Sequence, residues 1–215
     1  MKLVKQDIQN IDTWLKNHEI KYIDIRYELM DHLISEYENL ENYPDLDSFL
    51  TDRLPWCKKV AKEKQKALHW AYQKEVWIQF FNFFKKKNTF LILVITAIFY
   101  YLLFPFLTAK QFKTALLIPF FAVAAYQIYL LMFKCFSTKN QKEYISMASL
   151  VAIFSLPQLF LYCFGAFPGA LQSNLYFLVP YITFGLLLNI AAILAFYEKR
   201  KVVVKEYEFL KVYLA

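Results

Sequence analysis

The sequence predicts an all-α membrane protein with a small N-terminal helical cytoplasmic domain, a basic amphipathic neck helix and a four-helix transmembrane bundle. Of the 215 residues, 58% are hydrophobic and 20% aromatic, and only three are glycine, a composition that is unusual for a soluble protein. Charge is also uneven: residues 1–55 carry six Lys or Arg against twelve Asp or Glu, and residues 56–87 carry nine against two. We therefore divide the chain into an acidic head (1–55), a basic neck (56–87), a membrane region (88–197) and a cytoplasmic tail (198–215).

Three short helices around one small core are expected in the head. Apolar residues recur at helical spacing after Asp7, which predicts a first helix over residues 7–18 with Asp7 as its N-terminal cap. A third helix is predicted over residues 48–54, capped by Asp47. Between them, a second helix is predicted over residues 22–40. Its buried side should carry Ile25, Leu29, Leu33, Ile34, Tyr37 and Leu40.

The second predicted helix contains the most specific motif of the chain, "DIRYELMDHLISEYE". With its E-L-x-D-H-L pattern from Glu28 to Leu33, this segment resembles the HAAS helical domain. Members of that family are small cytoplasmic heads on bacterial membrane proteins. The resemblance covers residues 8–54 and implies a sensing, signalling or regulatory protein of the bacterial inner membrane, often associated with PadR-type transcriptional regulators. It implies no enzymatic activity for the head.

We expect the acidic face of this second helix to be a docking site for another protein, because burying several carboxylates would be costly unless each were paired. The residues of this predicted site are Asp24, Glu28, Asp31, His32 and Glu36. A metal site is the alternative, since Glu28, His32 and Glu36 share one side of a helix. Three ligands from one straight helix are poorly disposed around a tetrahedral ion, so no metal and no cofactor are predicted. His32 has a structural alternative too, a hydrogen bond that ties the helix to its neighbour.

The neck combines lysines in its first half with aromatic residues in its second, and it leads directly into the first apolar segment. This order is typical of a helix anchored at the membrane interface, where aromatic rings lie at headgroup depth and lysines contact anionic lipid. We therefore predict membrane lipids as a partner and no direct binding of nucleic acid, although the neck has the alternative of folding back on the acidic head. The predicted interface residues are Trp70, Trp77, Phe80, Phe81, Phe84, Lys85, Lys86 and Lys87.

Four segments are long enough to cross a bilayer, for which about 20 apolar residues are needed: residues 89–107, 114–133, 144–164 and 175–197. None contains Lys, Arg, Asp, Glu or His, which argues against proton relays and ion-coupled transport by this chain alone. Gln127, Gln158 and Asn189 are expected to hydrogen-bond between helices. Helix kinks are predicted at Pro119, Pro157 and Pro180.

Lysine placement predicts that both termini are cytoplasmic. Lysines or arginines flank the first span at its N-terminal end, fill the loop between the second and third spans, including Lys139 and Lys142, and follow the fourth span, whereas the opposite side has only Lys110 and Lys113. The first span is expected to be an uncleaved anchor. Under this topology the three cysteines should form no disulfide.

The sequence contains no G-x-S-x-G, P-loop, H-E-x-x-H or glycine-rich dinucleotide motif, so we expect a protein that is not an enzyme. Two functions from different classes remain. The first is a signalling or regulatory protein whose head recruits a cytoplasmic partner. The second is an accessory subunit of a larger membrane complex, such as a transporter or translocon.

Overall fold

The computed structural model describes residues 3–40, 44–135, 143–169, 171 and 174–214. Its α-helices are α1 Lys5–Asn17, α2 Ile23–Glu38, α3 Leu46–Lys85, α4 Lys87–Leu103, α5 Ala109–Leu130, α6 Ile145–Ala148, α7 Ser155–Ala166 and α8 Leu175–Leu214. Short 3-10 segments lie at Phe104–Phe106 and Ser149–Phe154, and a π-helical turn at Leu131–Cys135. All regular structure in these described ranges is helical, which confirms the predicted all-α class.

The chain forms two compact units. The first comprises Met1–His69 and Thr138–Ser149, and the second comprises Trp70–Ser137 and Leu150–Ala215. The first unit therefore holds α1, α2, the N-terminal part of α3 and α6. The inclusion of α6 was not expected, because the sequence assigns residues 144–164 to the third span.

The core of the first unit is built on the apolar stripe predicted for α2. Leu29 and Leu33 are fully buried and Tyr37 is nearly so. They pack with Leu15 of α1 and with Cys57 of α3. Because side chains three and four positions apart share one face of a helix, this regular spacing made the stripe recognisable in the sequence.

The two residues predicted as N-terminal caps in the head, Asp7 and Asp47, lie inside the first turns of their helices. Helix α1 begins at Lys5, so Asp7 is its third residue; the Asp7 carboxylate accepts a hydrogen bond of 3.0 Å from the backbone N of Val4. Asp7 thus still satisfies a backbone donor near the helix start. Helix α3 begins at Leu46, so Asp47 lies in its first turn and is not its cap.

The helix predicted over residues 48–54 and the neck are parts of one helix, α3, which continues through Pro55. A proline inside a helix removes one hydrogen bond and crowds the carbonyl four residues earlier. Burial on both sides of it offsets this cost, because Leu50 and Cys57 are about two helical turns apart on one face of α3 and are both buried in the head core. The predicted boundary at residue 55 is therefore not a helix end.

Four helical segments are long and apolar enough to cross a membrane, as predicted: Lys87–Phe106, Ala109–Lys134, Ile145–Ala166 and Leu175–Phe209. The chain therefore has the make-up of an integral membrane protein. Pro119 and Pro180 lie inside α5 and α8. Pro157 instead lies in the first turn of α7, where a missing N–H costs least, so it does not interrupt a continuous α-helix. Lys139 and Lys142 lie outside the described residues.

In the second unit, α5 and α8 meet along a buried face that includes a polar contact near the C-terminal end of α5. Gln127 Nε2 donates a hydrogen bond of 3.0 Å to the carbonyl of Asn189, whose side-chain amide donates to the carbonyl of Gly185. Both polar side chains are buried. This confirms the predicted interhelical role of Gln127; the Asn189 side chain instead bonds within α8, and Gln158 is only partly buried.

Candidate functional site

The predicted docking residues of α2 differ in how available they are to a partner. Asp31 and His32 are exposed. Glu28 forms an ion pair with Lys64, and Glu36 forms one with Arg53, so both carboxylates are engaged by α3. Asp24 is partly buried. The structure thus does not present the five residues as one open acidic face.

Both ion pairs join the acidic helix to α3, and Lys64 comes from the part of the chain assigned to the basic neck. The four side chains remain 39% to 44% exposed, and ion pairs of this kind contribute only about 0–1 kcal/mol to stability. They nevertheless fix the orientation of Glu28 and Glu36 toward α3. The contact of Lys64 with Glu28 joins the basic neck to the acidic head, the alternative that the sequence left open.

Asp24 has a structural role within the first unit. Its Oδ1 accepts a hydrogen bond of 3.2 Å from the backbone N of Ile145, the first residue of α6. Burial raises the pKa of the Asp24 carboxyl above its ordinary value, while backbone hydrogen bonds and the charge of Lys64 act in the opposite direction. This carboxylate is occupied inside the head and is not part of a docking surface.

A tryptophan from α3 lies beside the exposed His32 of α2, a proximity that the sequence did not indicate. The ring of His32 lies edge-on to that of Trp56, with the ring centroids 6.1 Å apart, and Trp56 is 38% exposed. Trp56 and His32 come from different helices, so their proximity could not be read from spacing along the chain. We call Asp31, His32 and Trp56 the docking surface.

The alternative metal site has no support from the placement of the side chains. Among the described residues, no group of three His, Cys, Asp or Glu side chains is placed to hold a metal ion. Glu28 and Glu36 are directed to Lys64 and Arg53.

The predicted interface residues of the neck separate into an exposed and a buried set. Trp70, Phe81 and Phe84 are exposed, as are the lysines at 85–87, and Trp77 is partly so. Phe80 is only 6% exposed and packs against Phe184 of α8, with the ring centroids 5.2 Å apart. Phe80 is therefore a core residue of the second unit and not a lipid-facing one.

Polar side chains on α3 also face the interior of the second unit, which sequence reasoning missed. Gln79 Nε2 donates a hydrogen bond of 2.5 Å to Glu198 of α8, and Glu75 lies 3.0 Å from Lys199 Nζ. Gln73 donates to the Ala152 carbonyl. Tyr72, Val76 and Phe83 are buried at helical spacing on this side of α3. This spacing could have indicated a buried face, but the many lysines suggested that the whole segment lies on the protein surface.

Comparisons of the chain with protein-family models, with curated proteins and with solved structures find no match.

Proposed function

We propose that this is a non-enzymatic integral membrane protein whose head docks another protein in a signalling or regulatory role. The observation that carries the proposal is the docking surface on the first unit. It combines an exposed carboxylate, an exposed imidazole and an exposed indole on a head with twice as many acidic as basic residues. Tryptophan is enriched among the residues that dominate the energy of protein–protein interfaces.

Charge and orientation support the same role. The acidic surplus of the head favours encounter with a basic partner surface, and it is repelled by anionic lipid. Lysines at 85–87 directly before the first span favour a cytoplasmic head. The likeness of α2 to the HAAS signature points to the regulatory class as well.

The second candidate function, an accessory subunit of a larger membrane complex, is favoured by α4. No residue of this helix is buried, whereas 28% to 39% of the apolar stretch of each of the other three spans is buried. Apart from the side where Tyr100 contacts α5, its apolar surface is available to lipid or to another membrane subunit. Small apolar bundles that join larger complexes need such a surface.

A pair of matched double variants separates the two functions. Asp31→Lys with Trp56→Ala changes the docking surface, while Asp52→Lys with Trp70→Ala makes the same chemical changes at exposed positions elsewhere on α3. After purification in mild detergent, quantitative mass spectrometry should show that the first variant loses a stoichiometric soluble partner and the second keeps it. Equal retention by both variants would refute the docking surface, and retained membrane subunits would favour the second function.

A further inference from the structure

The short helix α6 belongs structurally to the head, although it begins a segment that is apolar enough to span a membrane. Ile145 is 6% exposed and is part of the same buried cluster as Leu29, Leu33 and Cys57. These residues all lie in the first compact unit. The head core is thus completed by a side chain that is more than 80 residues away in sequence from the rest of its members.

A polar contact fixes α6 in the same place. The first N–H groups of a helix have no partner within the helix, and Asp24 Oδ1 accepts the one from Ile145 at 3.2 Å. Since Asp24 is partly buried, its charge would be costly there without this donor and the nearby Lys64.

The chain leaves α6 through an irregular helical segment. Ser149–Phe154 is a 3-10 helix of six residues, and α7 begins directly after it. Runs of 3-10 helix longer than three or four residues are uncommon, and a 3-10 stretch inside a longer helical segment often marks a hinge. The segment Ile145–Ala166 therefore has a conformationally weak point between α6 and α7.

We propose that Asp24 and the buried seat of Ile145 form a latch that couples the conformation of residues 145–154 to the stability of the head. When the latch is closed, α6 is an element of the head. When it opens, α6 leaves the head core and the head is weakened. Coupling of this kind is reciprocal by thermodynamic necessity, and it does not depend on which partner the head binds.

The reciprocity can be measured on the full-length protein in detergent micelles with two readouts. Hydrogen exchange of the amides of residues 145–148 reports on α6, and peptide-resolved maleimide labelling of buried Cys57 reports on the head core. Asp24→Ala should accelerate exchange at 145–148 about tenfold, the loss expected for one hydrogen bond to a charged group. Asp52→Ala, at an exposed carboxylate of the same unit outside the docking surface, should leave the exchange unchanged.

In the opposite direction, Ile145→Ala should accelerate Cys57 labelling at least tenfold, because removing a buried isoleucine side chain opens a cavity in the core that shields the thiol. Ile95→Ala, on the exposed surface of α4, is the control and should have no effect. If Ile145→Ala unfolds the head outright, the milder Ile145→Val should still raise labelling a few-fold. Unchanged exchange in Asp24→Ala, or unchanged labelling in both Ile145 variants, would overturn the latch.

Discussion

At the scale of single residues, the turn between α1 and α2 shows how much of the head depends on local geometry. Glu19 has φ 73°, in the left-handed region that disfavours residues other than glycine. The N–H of Ile20 bonds to the carbonyl of Leu15 and that of Glu19 to the carbonyl of Lys16, which is the Schellman arrangement that commonly ends a helix. Glycine is the usual residue at this position.

Replacing Glu19 by glycine should therefore stabilise the head. Glycine relieves the strain of the left-handed backbone, but its greater freedom in the unfolded chain offsets part of this effect. The free energy of unfolding should therefore rise by up to about 1 kcal/mol. Lys16→Gly, within α1, should instead destabilise it by about 1 kcal/mol. Thermal unfolding of the two variants in detergent should shift in opposite directions, and a lower midpoint for Glu19→Gly would contradict the assigned turn.

Cys57 offers a pH-dependent test of the head core. Burial raises the pKa of its thiol to about 11, above the ordinary value of 9.0. Because the folded-state pKa is the higher one, the contribution of this thiol to stability is fully present below pH 9 and is lost as the pH rises toward 11.

Alkylation by iodoacetamide at pH 8 should thus be about 100-fold slower at Cys57 in the folded protein than in the unfolded chain, from the thiolate fraction alone. Peptide mass spectrometry resolves Cys57 from the other cysteines. Equal rates in the folded and unfolded states would show that Cys57 is not in the core.

At the scale of helices, periodicity in the sequence predicted the type of each element better than its limits. The stripe of α2 has a strong, regular pattern, so the limits of this helix could be predicted closely. The apolar spans were predicted as helical, but the third contains α6 and a 3-10 segment and the fourth continues to Leu214. The continuity of α3 through Pro55 could not, because it depends on tertiary burial of Leu50 and Cys57, which overrides the local preference of proline.

Buried polar residues were the other gap. Arg26 is 7% exposed; its Nε lies 2.7 Å from Asp12, and its guanidinium donates to the Lys21 carbonyl. A charged residue in an amphipathic helix is normally taken to face solvent, and only tertiary contacts identify this exception. Of the predicted docking residues, Asp31 and His32 are exposed, whereas Asp24 is partly buried and accepts a hydrogen bond from α6. Only the contact with this distant segment distinguishes Asp24 from the other two.

The meeting of α5 and α8 gives a sharp prediction about packing. A Cβ atom at Gly185 would lie 2.9 Å from the ring of Phe120, which is fully buried. Gly185→Ala should therefore destabilise the second unit by about 1–3 kcal/mol through overpacking. Gly165→Ala is the matched control, since nothing lies within 4 Å of the corresponding Cβ. Thermal unfolding in detergent should separate the two, and equal midpoints would show that α5 and α8 do not approach closely here.

At the scale of the whole molecule, charge and apolar surface are distributed in a way that suits a membrane protein with a recognition head. Acidic residues concentrate before residue 56, basic residues concentrate in the neck, and the spans carry no charge over their predicted ranges. The residues proposed as the docking surface are exposed and no residue of α4 is buried, as binding of other proteins at these places would require.

Docking by the head is tested most directly by site-specific photocrosslinking in intact cells, with a photoreactive residue placed at Ser35, at Asp52 or at Ile95. Ser35 is exposed on α2 one helical turn from Asp31, so its replacement leaves the docking surface intact. We predict a discrete crosslinked product with another protein from position 35 and none from position 52, which is exposed on the same unit but outside the docking surface. The absence of a product from position 35, together with a product from Ile95 of α4, would contradict docking by the head and would assign partner binding to the membrane region.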